Sequence, residues 1–349
     1  MTIEKRKIDH IRIIAEEDVS HDHNYWNDIE IVQKSMPEID YDDIDLSIDL
    51  LGKKLSMPII ISSMTGGHPD TKKINENLAI AAAEKKIGMG VGSERAAIDN
   101  REVADTYSII TEYDVPLRIA NIGAPQLIRQ KKNALSDDDI KYAVDLVKAD
   151  ALAIHFNFVQ EMAQPEGDRN SKGIMERLSL ITKKYRVIAK ETGAGFSRMD
   201  AMDFMKAGVA AIDTGGRSGT SFSAVEYHRG LESNNFQKAR VGESFWNWGI
   251  PSPVSVMMCE GELPVIASGG IRNGLDVFKG LMLGASAAGL ASQFLKAGME
   301  SSQEVIRLID TIEAELRSAM FLTSSQSVND IRKVRRIYTG RLLNWTEQI

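Results

Sequence analysis

ALAIHFNFVQE, residues 151–161, is the stretch that decides the fold. It opens on Ala151–His155, a run too short for a helix and apolar on both alternating faces until its last residue. That is the pattern of a strand covered on both sides in a parallel sheet. It then turns polar at once, through Asn157, Gln160 and Glu161. A helical pattern precedes it at Asp137–Lys148 and another follows at Ser171–Tyr185.

The same unit recurs along the chain. Short apolar runs stand at Pro58–Ser62, Ile87–Gly90, Leu117–Ala120, Val187–Lys190, Ala210–Asp213, Pro264–Ser268 and Ala285–Leu290, with helical patterns such as Thr71–Lys86 and Leu275–Leu283 between them. Strand–helix alternation predicts an α/β fold with a parallel sheet, and eight units predict a closed (β/α)8 barrel, an open doubly wound sheet being the alternative. A chain of 349 residues suits one such domain. Residues 58–300 carry the barrel and 301–349 read as C-terminal helices. Residues 1–57 form an N-terminal extension, in which Ile44, Leu46, Ile48 and Leu50 alternate with polar residues ahead of Gly52-Lys53-Lys54. That alternation marks a hairpin able to close one end of the barrel. Residues 214–250 are the longest break, rich in Gly, Ser, Arg and aromatics, as functional or disordered segments are. Phe245, Trp246 and Trp248 there point to packing over a site or against another subunit.

Composition narrows the function. The chain is 43% hydrophobic and 26% charged with a net charge of −7, so it lacks the basic excess of a nucleic-acid binder. An acidic protein that binds an anion must gather its positive groups locally. The single cysteine, Cys259, allows no internal disulfide or multi-cysteine zinc site, and it sits in a helix-like stretch as buried packing. Met1–His10 is charged without an apolar signal region, and the longest near-apolar run, Leu281–Ala291, is too short to span a bilayer. A soluble, cytoplasmic protein is expected.

Barrel active sites sit at the C-terminal ends of the strands. Every run here exits into a small or polar cluster: Ser62–Gly67, Gly90–Arg95, Asn121–Gly123, His155–Glu161, Lys190–Gly193, Asp213–Thr220, Ser268–Arg272 and Ala291–Gln293. Ser268-Gly269-Gly270-Ile271-Arg272 reads as a phosphate-cradling loop or as a turn that caps a helix, and its place after the seventh strand favours phosphate. Arg272 serves either the phosphate or a surface ion pair. Lys190 ends an otherwise apolar strand and needs an anion: as a Schiff-base nucleophile, a flavin partner, or the ion-pair mate of Asp213. Asn121 and Ser93 suit the edge of a heteroaromatic ring, or cap and turn roles. The density of polar groups from His155 to Glu161 favours function over packing, and Glu161 suits Mg²⁺ completed by phosphate oxygens. Arg95, beside Ser93, suits a substrate phosphate. Arg6, Lys7 and His10 read by themselves as a solvated tail.

Taken in order, Arg6-Lys7 with His10, Met64–Gly67, Gly92–Arg95, Asn121–Gly123, His155 through Gln160-Glu161 to Gln164–Asp168, Lys190-Glu191 and Ser268–Arg272 resemble the type 2 isopentenyl-diphosphate isomerases. The resemblance runs from residue 6 to about residue 293, and His155–Asp168 is its most specific part. It implies that Met64, Thr65, Gly66, Ser93, Asn121, Lys190, Thr220, Gly270, Ile271, Arg272, Ala291 and Ser292 hold FMN. It implies that Arg6, Lys7, Ser93, Glu94, Arg95, Asn157 and Gln160 surround the substrate, that His155 and Gln160 take part in catalysis, and that Glu161 binds Mg²⁺ against the diphosphate. After the sixth strand the family tends to carry more glycine; here Arg217-Ser218-Gly219 precedes Thr220, which aligns with the flavin-contacting threonine.

The activity implied is the interconversion of isopentenyl and dimethylallyl diphosphate by an allylic 1,3-proton shift, a step of isoprenoid biosynthesis. Reduced FMN would be the acid–base catalyst, with NADPH or NADH as reductant, and the protein would be a homo-oligomer, a tetramer or octamer. Gln160 has no useful pKa and is assigned to orientation or proton relay. The rivals are an FMN oxidoreductase of the hydroxy-acid oxidase type, which wants a histidine and arginines on the late strands, and a non-catalytic flavin-binding barrel, which has no need of Gln160 and Glu161.

Overall fold

The eight apolar runs are all strands: β1 (Ile59–Ile61), β2 (Gly88–Gly90), β3 (Leu117–Gly123), β4 (Ala151–Phe156), β5 (Val187–Glu191), β6 (Ala211–Asp213), β7 (Val265–Ser268) and β8 (Ala287–Leu290). In the computed structural model, which describes residues 9, 10, 12–14, 16–261 and 263–349, they pair in parallel around a closed barrel, not an open sheet.

Side chains on a strand alternate between faces, so each strand carries two series. Leu152 and Ile154 point outward into the packing with the helices. Ala151 and Ala153 point inward and meet Ile60, Leu117, Ile119, Ile188, Ala211, Ile266 and Ala287 in an apolar lower interior. Two residues further along, the inward series turns polar: Asn121, His155, Lys190, Asp213 and Ser268. The register sets His155 opposite Lys190, and Lys190 opposite Asp213.

The expected hairpin, Ile48–Leu50 with Lys53–Leu55, plugs the lower end. Leu50 and Leu55 join the lower interior cluster, and Lys53 pairs with Asp150 at 2.6 Å just ahead of β4. The turn needs a left-handed backbone, which Gly52 (φ 73) supplies cheaply.

The rest of the extension supports the upper end from outside. The fully buried Trp26 donates its Nε1–H to the carbonyl of Gly269 at 2.8 Å, and Asn24 Nδ2 donates to that of Gly270 at 2.8 Å. Ile29–Ile31 pairs antiparallel with Arg336–Tyr338. The tail therefore holds a strand as well as the helices Ser302–Leu322, Val328–Ile331 and Gly340–Thr346, where helices alone were expected.

Residues 214–250 fold around two helices, Phe222–Glu232 and Phe236–Ser244. They approach closely because Gly230 and Gly242 carry no Cβ: one built on Gly230 would lie 2.7 Å from Ala239 N, and one on Gly242 2.7 Å from Ser223 O. Trp246 packs on the rings of Tyr227 and His228 and donates to Ser20 O at 2.8 Å, while Trp248 leans on Phe245 and stays 59% exposed. Arg217 donates to Asn247 O at 2.6 Å and lies over the Tyr25 ring, so it ties this segment to the extension. Cys259 is buried in the helix Ser252–Cys259. Among the described residues no helix is long and apolar enough to cross a membrane.

Candidate active site

All eight strand ends line one cavity of about 290 Å³ at the upper mouth of the barrel. Its two sides differ in chemistry. On one side the loops after β6 and β7 touch backbone to backbone. Gly269 (φ 92) and Gly270 (φ 76) take the left-handed conformation, and a Cβ on Gly270 would stand 2.3 Å from Ser218 O. Beside them the helix Ser292–Glu300 starts at the cavity wall, with no side-chain cap on its first N–H groups. That is a ready anion cradle. Ser62 Oγ and Thr65 Oγ1 also line the cavity, buried and without a hydrogen-bond partner among the described residues. A glycine-built anion site with uncommitted hydroxyls nearby fits a phosphorylated heteroaromatic cofactor such as FMN.

Lys190 faces this cavity with its Nζ 2.7 Å from Asp213 Oδ2, and Ser268 Oγ donates to the other oxygen of Asp213. The ion pair offered by the sequence is therefore formed. His155 Nδ1 lies 2.9 Å from Asn121 Oδ1. Asn121 donates its own Nδ2 to Val91 O, so its oxygen faces the ring. An amide oxygen only accepts, which puts a proton on Nδ1.

The other side is built on the short helix Phe158–Ala163. Asn157 holds its N-cap position but does not cap it; Nδ2 donates instead to Gln160 Oε1 (3.1 Å) and Glu161 Oε1 (3.0 Å). Gln160 Nε2 in turn donates to Glu226 Oε1 at 3.1 Å. The Gln160 amide is thus fixed at both ends. Glu226 is fully buried and receives His10 Nε2 at 2.9 Å and Arg229 Nη1, while Arg229 Nη2 reaches Glu166 at 3.1 Å. Burial alone would push the Glu226 carboxyl up, but His10, Arg229 and Gln160 hold it down at about 2.

Two carboxylates line the cavity among the described residues, Glu161 and Glu191. Glu191 Oε2 accepts the backbone N–H groups of Gly193, Ala194 and Gly195, and burial pushes this carboxyl up to about 7. Glu161 accepts from Asn157, from Gln164 Nε2 at 3.3 Å and from the Asp168 N–H at 2.7 Å. No group of three or more His, Cys, Asp or Glu able to hold an ion is present among the described residues. The donor set fits a hard dication held by one carboxylate and completed by ligand oxygens and water.

Most of the expected residues line this cavity: Met64, Thr65, Gly66, Ser93, Arg95, Asn121, His155, Asn157, Gln160, Glu161, Lys190, Thr220, Gly270, Ile271, Ala291 and Ser292. Two do not. Glu94 is fully buried behind the wall and accepts the Asn121 N–H at 2.8 Å, tying the exit of β2 to β3. Arg272 turns outward once the Gly269-Gly270 reversal has aimed Ile271 inward; it pairs with Asp276 at 2.9 Å and donates to Asn27 Oδ1 at 2.6 Å, the surface ion pair of its alternative reading. Arg6 and Lys7 lie outside the described residues.

A family model described as FMN-dependent dehydrogenase matches residues 2–154 and 251–337. Among solved structures, a mandelate oxidase mutant carrying a monooxide FMN adduct superposes with a TM-score of 0.60 over 97% of this chain and 93% of its own, at 16% identity, which bears on the fold alone. Among curated proteins, the isopentenyl-diphosphate delta-isomerase of Thermoplasma acidophilum is 54% identical over 345 residues, covering 99% of each chain. That of Archaeoglobus fulgidus is 44% identical over 350 residues, again 99% of each. The chain belongs to the type 2 isopentenyl-diphosphate delta-isomerase family.

The dehydrogenase match stops just before His155 and resumes after the paired helices, so it leaves out Asn157, Gln160, Glu161, Glu226 and Arg229. The isomerases match through this segment. Sequence reasoning missed Glu226 and Arg229. Their only local signal is a Glu–Arg pair three apart in Phe222–Glu232, which reads as an ordinary exposed helix pair.

Proposed function

We propose that this chain interconverts isopentenyl and dimethylallyl diphosphate by an allylic 1,3-proton shift, with FMN on the glycine-built side of the cavity and Mg²⁺ at Glu161. The observation that carries this reading is the Asn157–Gln160–Glu161 cluster anchored on Glu226, a polar wall lying wholly within the segment that the dehydrogenase family model leaves unmatched. A hydroxy-acid oxidase reading needs a late-strand arginine facing the substrate, and Arg272 faces Asp276 instead.

Met64, Thr65, Gly66, Ser93, Asn121, Lys190, Thr220, Gly270, Ile271, Ala291 and Ser292 would hold the cofactor. Bound and reduced by NADPH or NADH, FMN supplies an electron-rich ring able to give and take a proton. Arg95 and the N-terminal Arg6 and Lys7 would take the diphosphate, with His155, held through Nδ1 by Asn121, beside them. Glu161 would hold Mg²⁺ against the same group. Gln160, locked between Asn157 and Glu226, orients the alkene end and relays a proton through its remaining N–H. Carbon-centred cationic character requires that water be kept away, and the buried Gln160, Glu161 and Glu226 would keep it from that side of the cavity. Assembly as a tetramer or octamer belongs to the same reading.

The test is direct. Protein loaded with FMN, reduced anaerobically and given Mg²⁺ and isopentenyl diphosphate, yields dimethylallyl diphosphate; its absence sinks the reading. Gln160→Ala and Glu161→Ala keep their flavin absorbance and lose turnover, and either variant at full activity removes its residue from the mechanism.

A further inference from the structure

Asp168 stands behind the cavity wall and does not line it, yet three lining residues converge on it. Its Oδ2 accepts Arg95 Nη1 at 2.9 Å and Gln126 Nε2 at 3.0 Å. Its backbone N–H donates to Glu161 Oε2 at 2.7 Å, the same oxygen that Gln164 reaches at 3.3 Å. Asp168 is 7% exposed. The loop that presents it cannot relax easily: a Cβ on Gly167 would fall 1.8 Å from the Glu161 carbonyl, so Gly167 lets the chain fold back flat against the helix of Gln160 and Glu161.

One residue therefore fixes two groups of opposite charge that come from different strands. Arg95 follows β2 and Glu161 follows β4. A long arginine side chain at the cavity has several rotamers; the charge-assisted bond to Asp168 selects one and leaves its remaining N–H groups for an anion. The Glu161 carboxylate is oriented in the same way by the Asp168 N–H that its Oε2 accepts. Resting on the functional reading above, the geometry points to Asp168 as the positioning residue that joins the anion clamp at Arg95 to the cation site at Glu161, so that a magnesium–diphosphate head group is gripped as one unit. The side chain serves the anion half and the backbone amide serves the cation half. Displacing the side chain shifts both, because the loop is wedged at Gly167 against the Glu161 carbonyl and side chain and backbone amide move together.

The experiment uses FMN-loaded full-length protein with inorganic diphosphate as the probe, titrated with and without saturating Mg²⁺. Asp168→Asn weakens diphosphate binding in both arms, on the order of 10- to 100-fold with Mg²⁺, the usual loss when a partner behind a metal ligand is removed, and less without it. A loss in one arm alone, or affinities within about twofold of wild type in both, overturns the proposal. A residue that merely stabilised the loop would lower the melting temperature and leave both affinities in place. If Asp168→Asn sheds its flavin or fails to fold, Asp168→Glu keeps the charge and moves it by one methylene, and the same two-arm loss, smaller in size, is required of it. The titration needs no turnover. A wild type that binds magnesium–diphosphate yet makes no dimethylallyl product overturns the isomerase reading and leaves the clamp intact, whereas a wild type that binds no diphosphate overturns the clamp.

Discussion

Replacing Glu226 by Gln tests the electrostatic centre of the polar wall. The carboxylate is fully buried among His10, Arg229 and Gln160, and its pKa is held at about 2 against an ordinary 4.5. That difference corresponds to about 3 kcal/mol of stability near neutral pH. The pKa is depressed, so this contribution is complete above pH 4.5 and drains as pH falls towards 2. Linkage puts the loss at about 1 kcal/mol by pH 4 and about 2 kcal/mol by pH 3. Glu226→Gln removes the charge that pairs with Arg229 Nη1 and His10 Nε2 inside the protein. The variant should be less stable than wild type by about 3 kcal/mol at pH 7, the scale of a broken buried pair. The gap should shrink by about 2 kcal/mol on going to pH 3, because wild type loses what the variant never had. Urea unfolding of both proteins at pH 7, 4 and 3, at matched FMN, gives the difference curve, in which titrating groups that do not touch Glu226 cancel. A gap that stays constant with pH refutes the assignment of a depressed carboxyl at Glu226. A gap that widens towards acid refutes its sign.

Gly270→Ala places a methyl against Ser218 O on a left-handed backbone, so FMN affinity should fall at least about tenfold by flavin titration; unchanged affinity would show that the loop after β7 is not the phosphate cradle. Asp213→Asn leaves the Lys190 ammonium uncompensated in a buried position, at a cost of about 3 kcal/mol, whereas Lys190→Met with Asp213→Asn should melt above the single variant; the opposite order of melting temperatures would mean that the pair is not coupled. Leu50→Ala hollows the hairpin plug at the far end of the barrel and should lower stability by about 2–4 kcal/mol while flavin content and turnover at 25 °C stay at wild-type levels; lost flavin would show that the two ends are not independent.

The barrel was legible because its physics is local. A parallel strand buried on both faces must be apolar in both side-chain series, and the change from Ala153 to His155 or from Ile188 to Lys190 marks where the interior stops being core. What came next was less legible, because strand period ends where the loops begin. Nothing in the order Ser93-Glu94-Arg95 says that the middle residue turns under the wall to Asn121 while the outer two face the cavity. Arg272 shows the limit from the other side: its neighbour Asp276, one helical turn on, was visible, but only the Gly269-Gly270 reversal decides that the ion pair wins. Glu226 was out of reach altogether. Its partners Gln160 and His10 lie 66 and 216 positions away in sequence, and no local pattern carries a contact of that span. The helix pair of 214–250 was hidden by the residues that allow it, since Gly230 and Gly242 read as breakers and act as contact points.

The two sides of the cavity are constrained to different degrees, and that difference tells where the reaction class is written. On the cofactor side Gly270 touches Ser218 through main-chain atoms, and Trp26 and Asn24 hold the carbonyls of Gly269 and Gly270 from behind. A side chain added there clashes, so the loop is kept or lost as a unit, and the match to FMN-dependent dehydrogenases covers residues 251–337, where it lies. On the opposite wall the polar groups are side chains of one six-residue helix, Phe158–Ala163, oriented by Asn157 at its N-cap and by the buried Glu226 from the helix packed behind it. Those side chains can change without disturbing a strand, provided the buried charge of Glu226 keeps His10 and Arg229. Under the proposed function, the cofactor class would be carried by glycines that a side chain would disrupt, and the reaction class by an amide and a carboxylate whose positions depend on a buried ion pair that the dehydrogenase family model does not reach.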